Sequence, residues 1–272
     1  MSDNVIIVKT EEEVENQKEN KLSCSVVMPM YNAENFIEDA VRSVMNQTVK
    51  NIEIICVDDC SKDKTVDIVK KLQEEDSRIV LLQNETNSRV SQTRNNGINI
   101  AKSDWVALLD SDDKWEKDHL ECLINRQKET GGKIVHSSYG FMTHEGKVLD
   151  NVFIVDESIS YKKLFKQNKI LPSASMIEKS LLLKYPFYAD KVHEDFVCWL
   201  SIMKEIQVAY GVTKPTVIYR LTEGSKSRNK LKALMMSYNT YKVHGVGFFK
   251  RLYYTFCNGL NGLKKYSKIK NK

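Results

Sequence analysis

Between residues 23 and 109 the chain alternates between short apolar runs of strand character and stretches of helical spacing, switching roughly every 25 residues. Residues 23–30 (SCSVVMPM) read as a strand closed by Pro29. Residues 34–46 carry apolar side chains at 36, 37, 40, 41, 44 and 45, which places them on one helical face. The pattern repeats as a strand at 52–57 (IEIICV), a helix through Val66, Ile68, Val69 and Leu72, and a strand at 78–82. A helix at 90–101 and a strand at 105–109 (WVALL) complete it. Strands separated by helices pair in parallel through right-handed crossovers. The fold class that follows is α/β: a doubly wound, Rossmann-like, mostly parallel sheet flanked by helices. Such sheets bind ligands beyond the carboxyl ends of their strands.

After Gly131 and Gly132 the alternation lapses. Residues 133–138 and the segment 143–147 suggest a strand and a hairpin. Helical patterns return at 161–166, 180–185 and 196–205, with strands at 207–210 and 216–220. From about residue 230 the spacing predicts two amphipathic helices, the second carrying Phe248, Phe249, Leu252, Tyr253 and Phe256 beside Lys250 and Arg251. Residues 1–21 are polar and acidic and are expected to be a loosely held extension.

With 42% hydrophobic and 28% charged residues the chain builds a sizeable core, which excludes fibrous and fully disordered classes. No apolar run approaches the ~18 residues of a membrane-spanning helix. The six cysteines form no CxxC pair, and no secretory signal precedes the first strand, so reduced thiols in a cytoplasmic protein are expected. The net charge of +5 is unevenly divided: residues 224–272 hold twelve Lys or Arg and no Asp or Glu. The first 223 residues therefore carry 29 basic and 36 acidic side chains, a net of −7. A basic, aromatic tail of this kind suits peripheral contact with an anionic membrane, or else its aromatic stripe packs on the domain. No nucleic-acid partner is expected, because no DNA- or RNA-binding motif accompanies the charge.

The chemistry sits at strand ends. The first strand runs out through Pro29, Met30, Tyr31 and Asn32, the second through Asp58, Asp59, Cys60 and Ser61, and the fourth through Asp110, Ser111, Asp112 and Asp113. Five aspartates on one edge repel unless water or a cation neutralises them. An Asp-x-Asp at a strand end suits Mn2+ or Mg2+, although Asp112 or Asp113 can equally cap a helix beginning near Trp115. The histidines at 136, 144 and 244 show no zinc spacing with the cysteines.

In order, VVMPMYNAENFIEDAVRSVMNQT, IEIICVDDCSKDKT, NSRVSQTRNNGI and WVALLDSDD resemble the motifs of inverting family-2 glycosyltransferases with a GT-A fold. His193-Glu194-Asp195-Phe196 resembles the family's acid pair, and Tyr219-Arg220 with Ser225-Lys226-Ser227 its C-terminal segment. The likeness spans about residues 22–228 and is of the type that builds bacterial surface polysaccharide and lipooligosaccharide. It implies a nucleotide-binding half at 22–113, an acceptor half at 114–228 and a basic helical tail at 229–272.

By the same resemblance, Pro29 and Tyr31 wall the uracil and Asp59 accepts its imide hydrogen. Arg94 and Asn95 lie beside the nucleotide, with Arg94 either facing the diphosphate or paired to a nearby carboxylate. Asp110 and Ser111 lie near the ribose, and Asp112 binds the Mn2+ or Mg2+ that bridges the phosphates. Asp195 is the base, with Glu194 positioning the acceptor or Asp195 itself. Acids there also favour a helix N-terminus, and both roles can hold together. Arg220 and Ser227 close over the pyrophosphate, unless that segment is simply a surface connection to the tail. Cys60 and Ser88 stand where the family more often has glycine.

The expected activity is metal-dependent transfer of one sugar from a nucleotide-sugar, most simply a UDP-sugar, to a hydroxyl of a glycan or lipid-linked oligosaccharide, with inversion. Small size and the lack of membrane spans argue against processive synthesis. Alternatives are a sugar-phosphate nucleotidyltransferase, against which stands the lack of a Gly-rich phosphate loop near the first strand, and a silent carbohydrate- or membrane-binding protein on the same scaffold.

Overall fold

Every residue of β1 (Cys24–Met30) is buried, and its side chains alternate between two cores. Val26, Met28 and Met30 join the core on one face of the sheet and Val27 the core on the other. In the computed structural model, which describes residues 23–188, 192–221 and 230–270, helices cover both faces of the sheet. α1 (Ile37–Met45) and α2 (Thr65–Glu75) pack on the first face. β2 (Ile52–Asp58) splits its side chains as β1 does, with Ile54 and Cys56 on one side and Ile55 and Val57 on the other. Continuous Val/Ile runs buried on both faces are what a parallel strand between helical layers requires.

β3 (Ile79–Gln83), α3 (Arg89–Ile100) and β4 (Trp105–Leu108) complete the parallel unit, in the order β3-β2-β1-β4. α3 lies so close to the sheet that a Cβ on Gly97 would come within 2.6 Å of Val27 and 2.9 Å of Val57. That approach needs glycine.

The second half is mixed. β5 (Lys114–Trp115), α4 (His119–Thr130), β6 (Ile134–Met142), β7 (Val148–Phe153), β8 (Ser158–Ser160) and α5 (Tyr161–Leu164) precede a 3-10 turn at Pro172–Ala174. β9 (Ser175–Glu178), α6 (Lys179–Lys184), α7 (Glu194–Ile206) and β10 (Val208–Arg220) follow. The sheet runs β3-β2-β1-β4-β9-β6-β10-β5, with β7 on β6 and β8 on β10. β9 joins the two halves as an antiparallel strand between β4 and β6.

Three local expectations change. The helix expected near Trp115 starts four residues later, because residues 114–115 pair with β10 and the Trp115 indole donates to Ser173 O (2.6 Å). The strands expected at 207–210 and 216–220 form one strand, whose register shifts on both sides of Pro215 accommodate the missing N–H. β9, only four residues long, carried no periodic signal.

The two tail helices are present as α8 (Lys230–Val243) and α9 (Phe248–Lys270). Tyr241 of α8 is fully buried among Phe165, Phe196 and Tyr254, and its hydroxyl donates to Phe165 O (2.7 Å). α8 is thus part of the second core. The stripe of α9 is not: Phe248, Leu252, Tyr253 and Phe256 are exposed, and Phe249 is 83% exposed. Among the described residues no helix is long and apolar enough to cross a membrane.

Candidate active site

The carboxyl ends of β1, β2 and β4 bring their trailing loops to one edge of the sheet, and each junction is held by an aspartate or its neighbours. Asp59, just past β2, is buried and joins three segments. Its N–H donates to Met30 O (2.9 Å). Its carboxylate accepts from Ser88 N (2.7 Å), Arg89 N (2.8 Å) and Asn84 Nδ2 (2.9 Å). A carboxylate offers about four acceptor positions, so room for one further donor remains.

Tyr31 is 49% exposed and presents its ring at this edge. Pro29 does not: it is buried within β1 opposite Val57, so its contribution is to the sheet and not to a ligand wall. Of the two glycine-like positions, Cys60 does adopt left-handed backbone (φ 66°), but in the other loop the left-handed residue is Arg89 (φ 65°) and not Ser88. Each loop holds the strained residue with a local bond, Cys60 Sγ donating to Asn84 O (3.2 Å) and Arg89 N to Asp59.

At the end of β4, Asp110 anchors its N–H on Ser173 Oγ (3.1 Å) and accepts from Arg94 Nη2. Ser111 is half-buried. Burial first and Asp110 second push Asp112 up to about 6. Asp113 is fully buried and held well above the carboxylate range by burial, then by Asp112 and Asp110, while its Oδ1 accepts from Arg220 N (2.9 Å). Neither Asp112 nor Asp113 caps a helix, since the residue at the start of α4 is Asp118.

Arg220 is buried over this rim, donating through Nε to Asp112 O (2.8 Å) and through Nη1 to His144 O (2.9 Å), with its guanidinium 4.7 Å from the Phe36 ring centroid. Ser225, Lys226 and Ser227, expected to close over the same place, lie outside the described residues.

Under-neutralised aspartates of this kind suit a hard cation. Among the described residues no three His, Cys, Asp or Glu side chains converge as a ready-made cage. The donor set therefore fits Mg2+ or Mn2+ held by one or two carboxylates and completed by substrate phosphates, as those ions accept.

The acid pair lies at the N-terminus of α7. Asp195 is partly buried, and burial, then Glu194, raises its pKa. Its Oδ2 accepts from Asn168 Nδ2 (2.7 Å). Glu194 Oε1 lies 3.9 Å from Arg94 Nη1. Arg94 is 3% exposed and its Nε and Nη1 have no hydrogen-bond acceptor. Burial alone would lower its pKa, but Asp110, then Glu194 and Asp195, outweigh that and hold it protonated. Its guanidinium stands 5.3 Å from the Phe187 ring centroid.

Asn95 reaches the site only indirectly. Its amide donates to Phe187 O (3.0 Å) and accepts from Phe187 N (3.0 Å), so both polar ends fasten the segment that carries the ring under Arg94. The expected contact with the nucleotide is replaced by this brace. Asn168, Ser173 and Phe187 had no sequence signal, because each meets its partner from a distant loop.

A sequence model of the family described as Glycosyl transferase family 2 matches residues 25–170, just over half of the chain. TuaG of Bacillus subtilis (strain 168), named for teichuronic acid biosynthesis, is 34% identical over 242 residues, covering 89% of this chain and 96% of that one. WfaP of Escherichia coli, named a UDP-Glc:alpha-D-GlcNAc-diphosphoundecaprenol beta-1,3-glucosyltransferase, is 32% identical over 243 residues, 89% of this chain and 94% of its own. Among solved structures, S. aureus TarS 1-349 in complex with UDP-GlcNAc matches with a TM-score of 0.66 at 20% identity, over 80% of this chain and 65% of that one, a likeness of fold. With more than half of its length matched by the family and relatives above 30% identity spanning most of the rest, the chain belongs to glycosyl transferase family 2 and is a glycosyltransferase of GT-A fold.

Proposed function

We propose that the protein transfers a single sugar from a UDP-sugar to a hydroxyl of a glycan or lipid-linked acceptor in surface-polysaccharide assembly, with inversion by direct displacement and a divalent metal ion. The observation that carries this reading is Arg94, buried between Asp110 on the donor side and the Glu194–Asp195 pair. One guanidinium thus ties a strand-end carboxylate to the acid pair that contains the candidate base. Glucose is the first sugar to test, because WfaP and WfgD of Escherichia coli are both named for UDP-Glc and for an acceptor on diphosphoundecaprenol.

In this reading Tyr31 offers a ring face to the uracil, and the spare acceptor position of Asp59 takes its imide hydrogen. Asp110 and Ser111 face the ribose and diphosphate. Asp112, with Asp110, holds Mn2+ or Mg2+, which when bound stabilises the charge of the departing diphosphate. Asp195 takes the proton of the acceptor hydroxyl as that oxygen bonds the anomeric carbon from the face opposite the diphosphate, which inverts the centre. Glu194 helps place the acceptor, Arg220 shields the Asp112 rim, and Ser227 is assigned to the same closure.

Donor binding is tested by melting. UDP-glucose with Mn2+ is expected to raise the Tm of the wild type, since a ligand at 100 Kd stabilises by about 2.7 kcal/mol. Asp112→Ala is expected to lose most of the Mn2+-dependent part of that shift. A wild type whose Tm responds to none of the UDP, GDP, CMP or dTDP sugars, with either ion, would overturn the donor assignment.

The α9 face is proposed to rest on an anionic membrane at the cytoplasmic side. Its exposed aromatics lie beside Lys250 and Arg251, in a segment that holds only basic charge. Phe249→Glu with Phe256→Glu should cut co-sedimentation with phosphatidylglycerol-containing vesicles at least tenfold, since burying each ring is worth about 1.5–3 kcal/mol. Equal binding of the wild type to purely zwitterionic vesicles would count against the charge half of the idea.

A further inference from the structure

Asp195 is not the only group shaped for the proton transfer. Asn168 comes from the loop between α5 and the 3-10 turn, 27 residues earlier in the chain, and its Nδ2 donates to Asp195 Oδ2 at 2.7 Å. The other end of the same amide accepts from Ile170 N (3.3 Å). The two contacts agree on the orientation of the amide, since an ionised carboxylate can only accept and a backbone N–H can only donate. The loop is pinned to the helix that bears Asp195 a second time: the indole of Trp199, fully buried one turn further along α7, donates to Ile170 O (3.1 Å). Lys169 Nζ holds the outer side of the loop to Asp156 (2.8 Å). So short a contact between a loop and a helix terminus is therefore braced on both sides.

We propose that Asn168 is the positioning residue of the base, fixing Oδ2 so that Oδ1 is the oxygen turned to the acceptor hydroxyl. This rests on Asp195 being the base. In the step it serves, the acceptor O–H proton moves to Asp195 Oδ1, the acceptor oxygen bonds the anomeric carbon, and the bond from that carbon to the diphosphate breaks with its electron pair leaving on the diphosphate. A neutral amide suits the task better than a cation. It orients the carboxylate and favours its ionised form through one hydrogen bond, whereas a Lys or Arg in its place would depress the basicity that the step needs. The charged or titratable groups facing Asp195 are Glu194, His193 and Cys198 on its own helix and Arg94 from α3. Of these, the Cys198 thiol donates to Tyr185 O (3.1 Å) and the His193 imidazole lies against Ala233 O (3.2 Å). Besides Asn168, the carboxylate therefore has only the backbone N–H of Phe196 as a neutral donor among the described residues.

The test reads Asp195 directly, without an acceptor. The full chain is labelled with 13C at aspartate carboxyls, and the Asp195 resonance is assigned in each background as the one lost in Asp195→Asn. Losing one hydrogen bond to the charged form should raise the Asp195 midpoint by about one pH unit in Asn168→Ala. Asn168→Leu keeps the side-chain volume and removes the donor without adding a charge, so its midpoint should rise by a similar amount. It also decides the matter if the alanine variant does not fold. A role confined to bracing the loop predicts a lowered Tm in Asn168→Ala and an unmoved Asp195 midpoint in both variants, and that result overturns the proposal. The two ideas fail separately: unchanged UDP release from UDP-glucose in Asp195→Asn removes the base assignment, whereas an inactive Asp195→Asn with unmoved midpoints removes only Asn168.

Discussion

Asp195→Asn is expected to lower turnover by about 10²–10⁴-fold, the usual contribution of a positioned general base. The amide is nearly isosteric, so the start of α7 and the melting shift produced by UDP-glucose with Mn2+ should both survive. The pH dependence has a definite sign. Burial and Glu194 raise the pKa of Asp195, so the ionised, proton-accepting form is complete only above that raised value. The rate should fall as pH drops through a midpoint above the ordinary carboxylate value. Steady-state UDP release measured from pH 4.5 to 8 would show the limb, and Asp195→Asn should erase it. Full activity in that variant would sink the assignment.

Arg94→Met is expected to have the other large effect, on stability and donor binding together. The guanidinium is 4% exposed at the side chain, against 29% for Asp110 and 16% for Glu194. Removing one partner from such a group leaves uncompensated charge in a poorly solvated site, typically at a cost of about 3–5 kcal/mol, and the partial exposure of Asp110 favours the lower end. At roughly 2–4 °C per kcal/mol for a chain of this order, Tm at pH 7.5 should fall by about 6–12 °C.

The deficit should shrink as pH is lowered. Arg94 is among the groups that hold down the raised pKa values of Asp112 and Asp195, so without the cation both rise further above their unfolded values. Protonation then favours the folded state and removes the repulsion. Arg94→Lys, which keeps the charge but not the planar fork, should fall between the two. An Arg94→Met variant melting with the wild type at pH 7.5 would show that the buried cation contributes nothing to holding the carboxylates together.

The parallel half of the fold was legible because its signals are local. Helical spacing at 36, 37, 40, 41, 44 and 45 and the two-sided burial of β1 and β2 depend on residues within one or two turns of one another. The same locality placed Asp59, Asp110 and Asp112 at strand ends, since a strand that stops must deliver its next residues to the sheet edge. Where segments far apart in the chain had to agree, the sequence was silent or misleading. Asn95 was read as a ligand contact, yet its partner is a backbone 92 residues away. Pro29, at a strand end, turned inward because β1 is covered on both faces.

By itself, then, the sequence determined a doubly wound α/β chain with an aromatic ring at one strand end and carboxylates at two others, an acid pair opening a later helix and a basic aromatic tail, because each is a short-range pattern of side-chain type. The tertiary structure alone decided what those residues face. It turned Arg94 toward Asp110 and Glu194, laid Phe187 beneath it, set Asn168 against Asp195, and buried Tyr241 of α8 while leaving the α9 stripe in solvent. The physical reason is shared: a buried polar group is satisfied, and an apolar face is covered, by whichever group the packed core brings within reach, and that proximity is a property of the assembled sheet and its loops, not of neighbours along the chain.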